Sequence, residues 1–233
     1  MEAHVKILLS WSTGKDSAWC LHVLRAMPEV TVVGLLATVS EAYSRVAMHA
    51  VRQELLMAQV QSVGLPLRIV KLPSPCSNAV YEQAMQQAMI EARAEGVEAV
   101  AFGDLFLEDV RRYREERLAR VQMQGLFPLW GRPTRALAGE MIAAGVRARL
   151  TCVDPKILSP SFIGREFDLG LLDALPAHVD PCGENGEFHS FVWDGHDAAG
   201  RVMPSGVYFY RMEATGLSGG VSYREMKRML LIR

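Results

Sequence analysis

The residues best suited to chemistry lie in one short turn near the N-terminus. Residues 7–17 read Ile-Leu-Leu-Ser-Trp-Ser-Thr-Gly-Lys-Asp-Ser, an aliphatic run followed by hydroxyls, one glycine, one lysine and one acid. Backbone N–H groups at the start of a helix, hydroxyls and an ammonium together form a cradle for an anion, and phosphate suits it best. The candidate ligands are Ser10, Ser12, Thr13, Gly14, Lys15, Asp16 and Ser17.

Two common phosphate-binding motifs do not fit this turn. A Walker A loop requires G-x-x-x-x-G-K-[ST], but here Lys15 is followed by Asp16 and preceded only by Gly14. A dinucleotide fingerprint requires three spaced glycines, which are absent. On its residues alone, the turn could also be a capped helix after a strand, with no ligand.

Acidic residues form the other candidate groups. Glu184 and Glu187 flank Asn185-Gly186 in a tight turn, where two acids could orient a cationic substrate or shift each other's pKa toward base catalysis. Gly103 and Asp104 follow an apolar run, where the glycine admits a close ligand and the carboxylate could bind Mg²⁺ or an amine. Both groups could equally be ordinary turns.

The remaining candidates are weaker. His49 precedes Arg52 by one helical turn and could point toward a site or toward solvent. The mixed-charge stretch after residue 107 is typical of a solvated helix with i,i+4 ion pairs, so only Glu108 and Arg111 are kept as candidates for substrate binding. Cys152 and Cys182 are interpreted as packing residues.

The elements that must position these residues alternate regularly along the chain. Short aliphatic runs predict strands, longer amphipathic runs predict helices, and this alternation indicates an α/β fold with a doubly wound parallel sheet. Ligands of such sheets bind at the carboxyl ends of the strands. The predicted strands are 5–9, 30–37, 67–71, 98–102 and 146–153, and the predicted helices are 16–26, 45–63, 77–95, 108–124 and 134–144.

Composition limits the function classes. The chain has 233 residues, half of them hydrophobic, and a net charge of −1, so it shows no basic face for nucleic acid. No apolar run approaches the ~20 residues of a membrane helix. The four cysteines lie far apart with no Cys-x-x-Cys pair, which predicts a reduced, cytoplasmic protein.

The turn at residues 10–17 resembles the S-G-G-K-D-S loop of the PP-loop ATP pyrophosphatases, with Thr13 in place of a glycine. Further segments resemble the diphthine–ammonia ligase branch of that family. Residues 182–189 are similar to its E-G-G-E-[FY]-E-T element, with Asn185 for a glycine and His189 for an acid. The other matching segments are 35–40, 48–52, 75–78, 101–111 and 126–130.

This resemblance implies a Rossmann-like fold of the adenine nucleotide alpha hydrolase type, with ATP and Mg²⁺ as cofactors. It implies that the loop grips the phosphates, that Lys15 holds the pyrophosphate, and that Ala37 and Thr38 seat adenine through main-chain groups. Asp16 would hold Mg²⁺ or cap the helix. The implied catalytic residues are Lys15, Asp16, Glu184 and Glu187; Gly103 and Asp104 would complete the ATP site, and His49, Glu108, Arg111, Asn185 and Gly186 would contact substrate.

The implied reaction joins ammonia to a carboxylate through an acyl-adenylate, with release of pyrophosphate and then AMP. The family's acceptor is diphthine on elongation factor 2, which an archaeal or eukaryotic host would supply; a bacterial host would need another carboxylate. A nucleotide-sensing module without turnover is the alternative. Sulfur or tRNA chemistry is disfavoured because a basic face and a cysteine pair are missing. A homodimer is possible within this scheme.

The last forty residues differ in character from the rest. Residues 195–233 carry a net charge of +3, which leaves −4 on the preceding chain. Residues 193–233 resemble the C-terminal half of a flagellar hook-capping type of Ig-like domain, and two alternating runs in them predict a β-hairpin. We therefore predict three parts: an ATP-binding domain (1–145), a substrate-binding region (146–194) and a fused hairpin tail (195–233).

Overall fold

A mostly parallel sheet forms the centre of the fold. The computed structural model describes residues 4–42, 45–46, 51–185, 188–192, 206–215 and 222–231. The strands of the central sheet are β1 (Val5–Ser10), β2 (Val30–Ser40), β3 (Arg45–Val46), β4 (Leu67–Leu72), β5 (Ala99–Ala101) and β6 (Gln124–Leu126). The parallel pairs join in the order β4–β2–β1–β5–β6, and β3 runs antiparallel to the end of β2.

Helices cover both faces of this sheet. They are α1 (Lys15–Arg25), α2 (Gln53–Val63), α3 (Asn78–Ala94), α4 (Glu108–Ala119), α5 (Thr134–Ala143) and α6 (Leu169–Ala174). Along β1 the side chains alternate between the faces: Ile7 and Leu9 pack in the cluster that includes α1 and α5, and Leu8 packs in the cluster that includes α3 and α4. This arrangement confirms the predicted doubly wound α/β fold.

Two predicted helices are shorter than expected because parts of them form strands. The helix predicted over 45–63 begins only at Gln53, since Arg45 and Val46 pair with β2. The helix predicted over 108–124 ends at Ala119, since residues 124–126 pair with β5 as an edge strand that the sequence analysis does not contain. The helix predicted over 77–95, by contrast, forms nearly in full as α3, and Ser77 caps it: the Ser77 hydroxyl accepts from the Val80 N–H at 3.3 Å.

The order of the strands reverses beside β1. The chain moves from β1 to β2 and β4 in one direction, then returns to place β5 on the other side of β1. The connections that leave the carboxyl ends of β1 and β5 therefore diverge and open a crevice, which is where doubly wound sheets bind their ligands. The loop that begins after Ser10 and the loop 102–107 lie at this point.

The strand predicted over 146–153 does not join the parallel sheet. Residues Ala148–Val153 form β7, which pairs antiparallel with β8 (Phe188–Val192) in a separate two-stranded sheet. Ala148, Leu150 and Val153 are buried while Cys152 is exposed, so β7 is covered on one face only, as is usual for antiparallel pairs. A short apolar run does not distinguish this case from a fully buried strand.

The region after residue 145 shares a hydrophobic core with residues 1–145. Leu150, Phe167 and Leu171 belong to the same buried cluster as Ile7 and Leu24. The predicted boundary at residue 145 therefore divides one continuous hydrophobic cluster. The division into an ATP-binding part and a substrate-binding part stays a prediction, because the packing does not separate the two parts.

The predicted hairpin near the C-terminus is present. Strands β9 (Gly206–Thr215) and β10 (Ser222–Leu231) pair antiparallel from Gly206 opposite Leu231 to Thr215 opposite Ser222. Within the described part of the chain, both strands pair only with each other. The origin of this hairpin in an Ig-like domain stays a prediction. Among the described helices, none is long and apolar enough to cross a membrane.

The shared core predicts that a cavity-forming substitution in α6 destabilises residues 1–145 as well. Leu171 is 0% exposed, and its replacement by alanine should lower the free energy of unfolding by about 2–5 kcal/mol. Leu169, 60% exposed on the same helix, is the matched control. Leu169→Ala should change the free energy of unfolding by less than ~0.5 kcal/mol. Urea unfolding followed by tryptophan fluorescence and by circular dichroism measures this. Two separate transitions, with only one affected, would contradict a single core.

Candidate active site

Hydrogen bonds from its own serine hydroxyls hold the loop between β1 and α1 together. The Ser17 hydroxyl donates to the Gly14 carbonyl at 2.9 Å, and the Gly14 N–H donates to the Ser12 hydroxyl at 3.4 Å. The Ser12 and Ser17 hydroxyls lie 3.3 Å apart. Ser10 pairs with Leu36 at the end of β1. Of the predicted hydroxyl ligands, the structure thus brings those of Ser12 and Ser17 together at the first turn of α1.

The side chain of Lys15 is buried within this loop. The residue is 1% exposed, and its ammonium donates to the Asp16 carboxylate at 2.9 and 3.0 Å and to the Cys182 carbonyl at 2.5 Å. Its ammonium also lies 5.4 Å from the centre of the Phe167 ring. Burial lowers the pKa of Lys15, but the surrounding charges, above all that of Asp16, outweigh it and hold the pKa above the ordinary value. Lys15 therefore stays charged at neutral pH.

Glu184 reaches the same crevice from the other end of the sequence. Its carboxylate accepts from the Leu105 N–H at 2.8 Å, and its own N–H donates to the Asp180 carboxylate at 2.8 Å. Burial raises the pKa of Glu184 to about 7; the Leu105 N–H opposes this shift, and the charges of Asp16 and Asp104 add to it. A carboxyl with this pKa can accept or donate a proton at neutral pH.

Asp104 lies in the loop after β5 and pairs with Arg114 of α4. The two side chains approach to 2.9 Å, and the guanidinium also lies 4.3 Å from the centre of the Phe102 ring. Burial raises the pKa of Asp104, although the charge of Arg114 opposes the shift. Arg114 was not predicted as a site residue because five arginines lie between residues 108 and 120, and only the helix phase shows which of them faces Asp104.

The two residues predicted from this helix lie elsewhere. Arg111 pairs with Glu115 at 2.8 Å, which confirms the predicted i,i+4 pairing, and its guanidinium lies 4.8 and 4.7 Å from the rings of Phe127 and Trp130. Glu108 is exposed at the first position of α4. Their role in substrate binding stays a prediction.

The predicted adenine-binding residues lie within a strand rather than at its end. β2 continues to Ser40 because β4 pairs with it along that length. β1, however, ends at Ser10 opposite Leu36, so Ala37 and Thr38 are the first residues of β2 beyond the end of β1. They therefore lie beside the loop between β1 and α1, and their contact with adenine stays a prediction.

Gly103 permits a close approach, but to the protein itself. A Cβ atom on Gly103 would lie 3.0 Å from the carbonyl carbon and oxygen of Asp16 and 3.2 Å from the backbone nitrogen of Ser17. The glycine thus allows the loop after β5 to pack directly against the first turn of α1. In this way it fixes Asp104 relative to Lys15.

The other predicted site residues are placed as follows. Asn185 is exposed next to Glu184. Cys182 is buried, and burial raises the pKa of its thiol to about 12, so its interpretation as a packing residue agrees with the structure. Cys152 is exposed, so the same interpretation is wrong for it. His49, Gly186 and Glu187 lie outside the described residues.

Gln59 is a further site residue that no sequence pattern indicates. It lies on α2 and is 4% exposed. Its amide donates to the Thr13 carbonyl at 3.2 Å and accepts from the Trp11 indole at 2.9 Å. A glutamine within an amphipathic helix is unremarkable in sequence, and its contact with the loop follows only from the packing of α2.

Comparison with known proteins decides the family. The family described as "Diphthamide synthase N-terminal domain" matches residues 5–125, which contain β1 to β5, the first two residues of β6 and the loop between β1 and α1. The chain is 31% identical to the diphthine–ammonia ligase of Danio rerio in an alignment of length 211 that covers 78% of this chain and 80% of that protein. It is 28% identical to the human enzyme of the same name in an alignment of length 210 that covers 78% of this chain and 76% of that enzyme. The chain belongs to the diphthine–ammonia ligase family.

Membership in this ligase family confirms the resemblance, and the matching family model covers the loop between β1 and α1. The roles of Lys15 and Glu184, 169 positions apart, stay predictions. Metal binding is a separate matter. Within the described residues, no group of three potential ligand side chains surrounds a common point, so Mg²⁺ at Asp16 stays a prediction.

The packing of Gly103 predicts that a methyl group there disturbs the loop. Gly103→Ala should lower the free energy of unfolding by about 1–3 kcal/mol because the contacted atoms are backbone. It should also weaken ATP binding. Gly64→Ala is the control: Gly64 has φ of 72° with open space around it, so its cost of about 1–2 kcal/mol is conformational alone and ATP binding stays normal. Equal ATP affinity in both variants, by calorimetry, would contradict this role.

The raised pKa of Glu184 predicts a pH-dependent stability. The folded-state pKa, about 7, lies above the value of 4.5 for an exposed carboxyl. The neutral carboxyl therefore stabilises the fold fully below pH ~4.5, and this contribution is lost as pH rises through ~7. Relative to Glu184→Gln, the wild type should lose stability between pH 5 and pH 8. Parallel urea titrations at the two pH values test this, and a constant difference between the proteins would contradict it.

Proposed function

We propose that this protein is an ATP-dependent amide ligase that adenylates a carboxylate, releases pyrophosphate and amidates the acyl group with ammonia. The observation that carries the proposal is the buried ammonium of Lys15. It lies inside a phosphate-binding loop and bonds the carbonyl of Cys182, two residues before Glu184. A group suited to phosphate binding and a group suited to proton transfer therefore lie close together, which supports the proposal.

The nucleotide would bind at the carboxyl end of β1. The hydroxyls of Ser12 and Ser17, the N–H groups of the first turn of α1 and the Lys15 ammonium would hold the phosphates. Adenine would lie against the main chain of Ala37 and Thr38, beyond the end of β1. The oxygens of Asp16 would hold Mg²⁺, and that ion would neutralise phosphate charge.

In the first step, an oxygen of the acceptor carboxylate attacks the α-phosphorus, and the bond from that phosphorus to the pyrophosphate oxygen breaks. Negative charge accumulates on the pyrophosphate. Lys15 stabilises that charge because its ammonium is fixed in a water-poor site. The loop holds the β- and γ-phosphates in place, so the attack is directed to the α-phosphorus.

In the second step, ammonia attacks the acyl carbon and AMP leaves. Ammonium must lose a proton to become the nucleophile, and Glu184, with a pKa of about 7, accepts one at neutral pH. Asp104 and Asp16 add negative charge near Glu184 and would attract the ammonium cation. Glu187 would act beside Glu184 in the same turn.

The acceptor follows from the names of the relatives. The relatives are named diphthine–ammonia ligase, so a diphthine carboxylate on elongation factor 2 is the first acceptor to test. In a host without that modification the acceptor would be another carboxylate. A cytoplasmic location and a homodimeric state belong to the same proposal.

The proposal predicts the products and their dependence on Lys15. With ATP, ammonium and an acceptor, the nucleotide product should be AMP, accompanied by pyrophosphate. Lys15→Ala should lower this rate by about 10²-fold or more because the leaving group loses its fixed charge. Lys6→Ala, on an exposed position of β1, is the control and should behave as wild type.

Product analysis by ion-exchange chromatography separates the outcomes. ADP and phosphate as the only products would contradict the proposal. Tight ATP binding without pyrophosphate release, across the acceptors tested, would instead favour a nucleotide-sensing module.

A further inference from the structure

Thr13 has an unusual backbone conformation for its residue type. Its φ is 72°, in the left-handed region. A β-branched residue is unfavourable there because its Cβ crowds the following carbonyl, whereas glycine adopts this conformation freely. The glycine of the related loop motif would therefore be the easier residue at this position. The strain at Thr13 requires compensation elsewhere in the structure.

The compensation within the fold comes from Gln59. Its amide nitrogen donates to the Thr13 carbonyl at 3.2 Å, and its amide oxygen accepts from the Trp11 indole at 2.9 Å. Both ends of this buried amide thus contact the loop, one on each side of Ser12. The carbonyl of Thr13 is held in a fixed orientation, and with it the left-handed turn.

The Thr13 side chain carries a second unfavourable feature. The residue is 0% exposed, and its hydroxyl finds no hydrogen-bond partner in the part of the chain that the structure describes. A buried hydroxyl without a partner is destabilising. Glycine would remove both the backbone strain and this hydroxyl. No contact within the described residues explains why threonine, and not glycine, stands at this position.

We propose that the Thr13 hydroxyl donates a hydrogen bond to a terminal phosphate oxygen of the bound nucleotide, and that Gln59 is the positioning residue that holds it there. This inference rests on the proposed function. Lys15, two residues further along the same loop, is equally buried. A phosphate bound by the Lys15 ammonium would lie at the same turn as Thr13. The ligand chemistry is that of a pyrophosphoryl group.

Three substitutions at Thr13 separate the hydroxyl from the backbone. Thr13→Ser keeps the hydroxyl, Thr13→Ala removes it and keeps a Cβ, and Thr13→Gly removes both. Inorganic pyrophosphate and ATP are titrated calorimetrically into each full-length variant, and the melting temperature is recorded. Because a hydrogen bond to a charged group is lost, Thr13→Ala and Thr13→Gly should weaken pyrophosphate binding by about tenfold or more. Thr13→Ser should bind more tightly than both.

Stability should move in the opposite direction. Thr13→Gly should melt a few degrees above wild type because it relieves strain and removes an unpartnered hydroxyl, so binding and stability separate in one variant. Weaker binding in a protein that melts higher excludes general damage. Unchanged pyrophosphate affinity in Thr13→Ala and Thr13→Gly would overturn the proposal while leaving the proposed function intact, provided that Lys15→Ala loses the affinity. If wild type binds neither ATP nor pyrophosphate, both proposals fail.

A double-mutant cycle tests the role of Gln59. Gln59→Leu should weaken pyrophosphate binding in wild type, where the left-handed turn must be held. It should have a much smaller effect in the Thr13→Gly background, where glycine adopts that turn without help. A residue that only stabilises the core would produce the same effect in both backgrounds. Equal effects would therefore overturn the assignment of Gln59 as a positioning residue.

Discussion

A buried positive charge at Lys15 sets the main constraint on this structure. A charge removed from water is stable only when it is paired and hydrogen-bonded. Here the partners are Asp16, its neighbour in sequence, and the carbonyl of Cys182, 167 positions away. The requirement to pair one ammonium thus joins the first βα turn to the segment that carries Glu184. The bond from the Leu105 N–H to Glu184 adds a second link across the same crevice. A charge held in this way is also what a departing pyrophosphate requires.

The sheet topology forms the crevice in which Lys15 is paired. The acidic residues around that crevice raise the pKa of Glu184. Because the strand order reverses beside β1, the loops after β1 and β5 diverge at one edge of the sheet. Gly103 lets those loops touch, so Asp16 and Asp104 lie near Glu184. Burial and this negative charge together raise the pKa of Glu184 to about 7. Arg114 offsets part of the charge at Asp104. The site therefore combines an ammonium that is paired with Asp16 at the loop with the carboxyl groups of Asp104 and Glu184 opposite it.

The contiguous features of the site could be predicted from sequence, and the long-range ones could not. The loop is a motif of adjacent residues, so its place after a buried strand follows from local pattern, and the resemblance adds Glu184. The edge strand β6 has only three residues and was missed, and β7 was assigned to the wrong sheet because periodicity does not reveal a strand's partners. Arg114 and Gln59 were missed for a related reason: helix phase and packing, not residue type, bring them to Asp104 and Thr13.

Exchange of labelled pyrophosphate into ATP, without ammonium, tests the central claim most directly, because adenylation of a carboxylate is reversible until ammonia arrives. The enzyme is incubated with ATP, labelled pyrophosphate and a candidate acceptor, first elongation factor 2 that carries diphthine. The proposed function predicts that label enters ATP only when both the acceptor and the Lys15 side chain are present. No entry of label with any acceptor, or equal entry in Lys15→Ala, would contradict the assignment of Lys15 to a pyrophosphate leaving group.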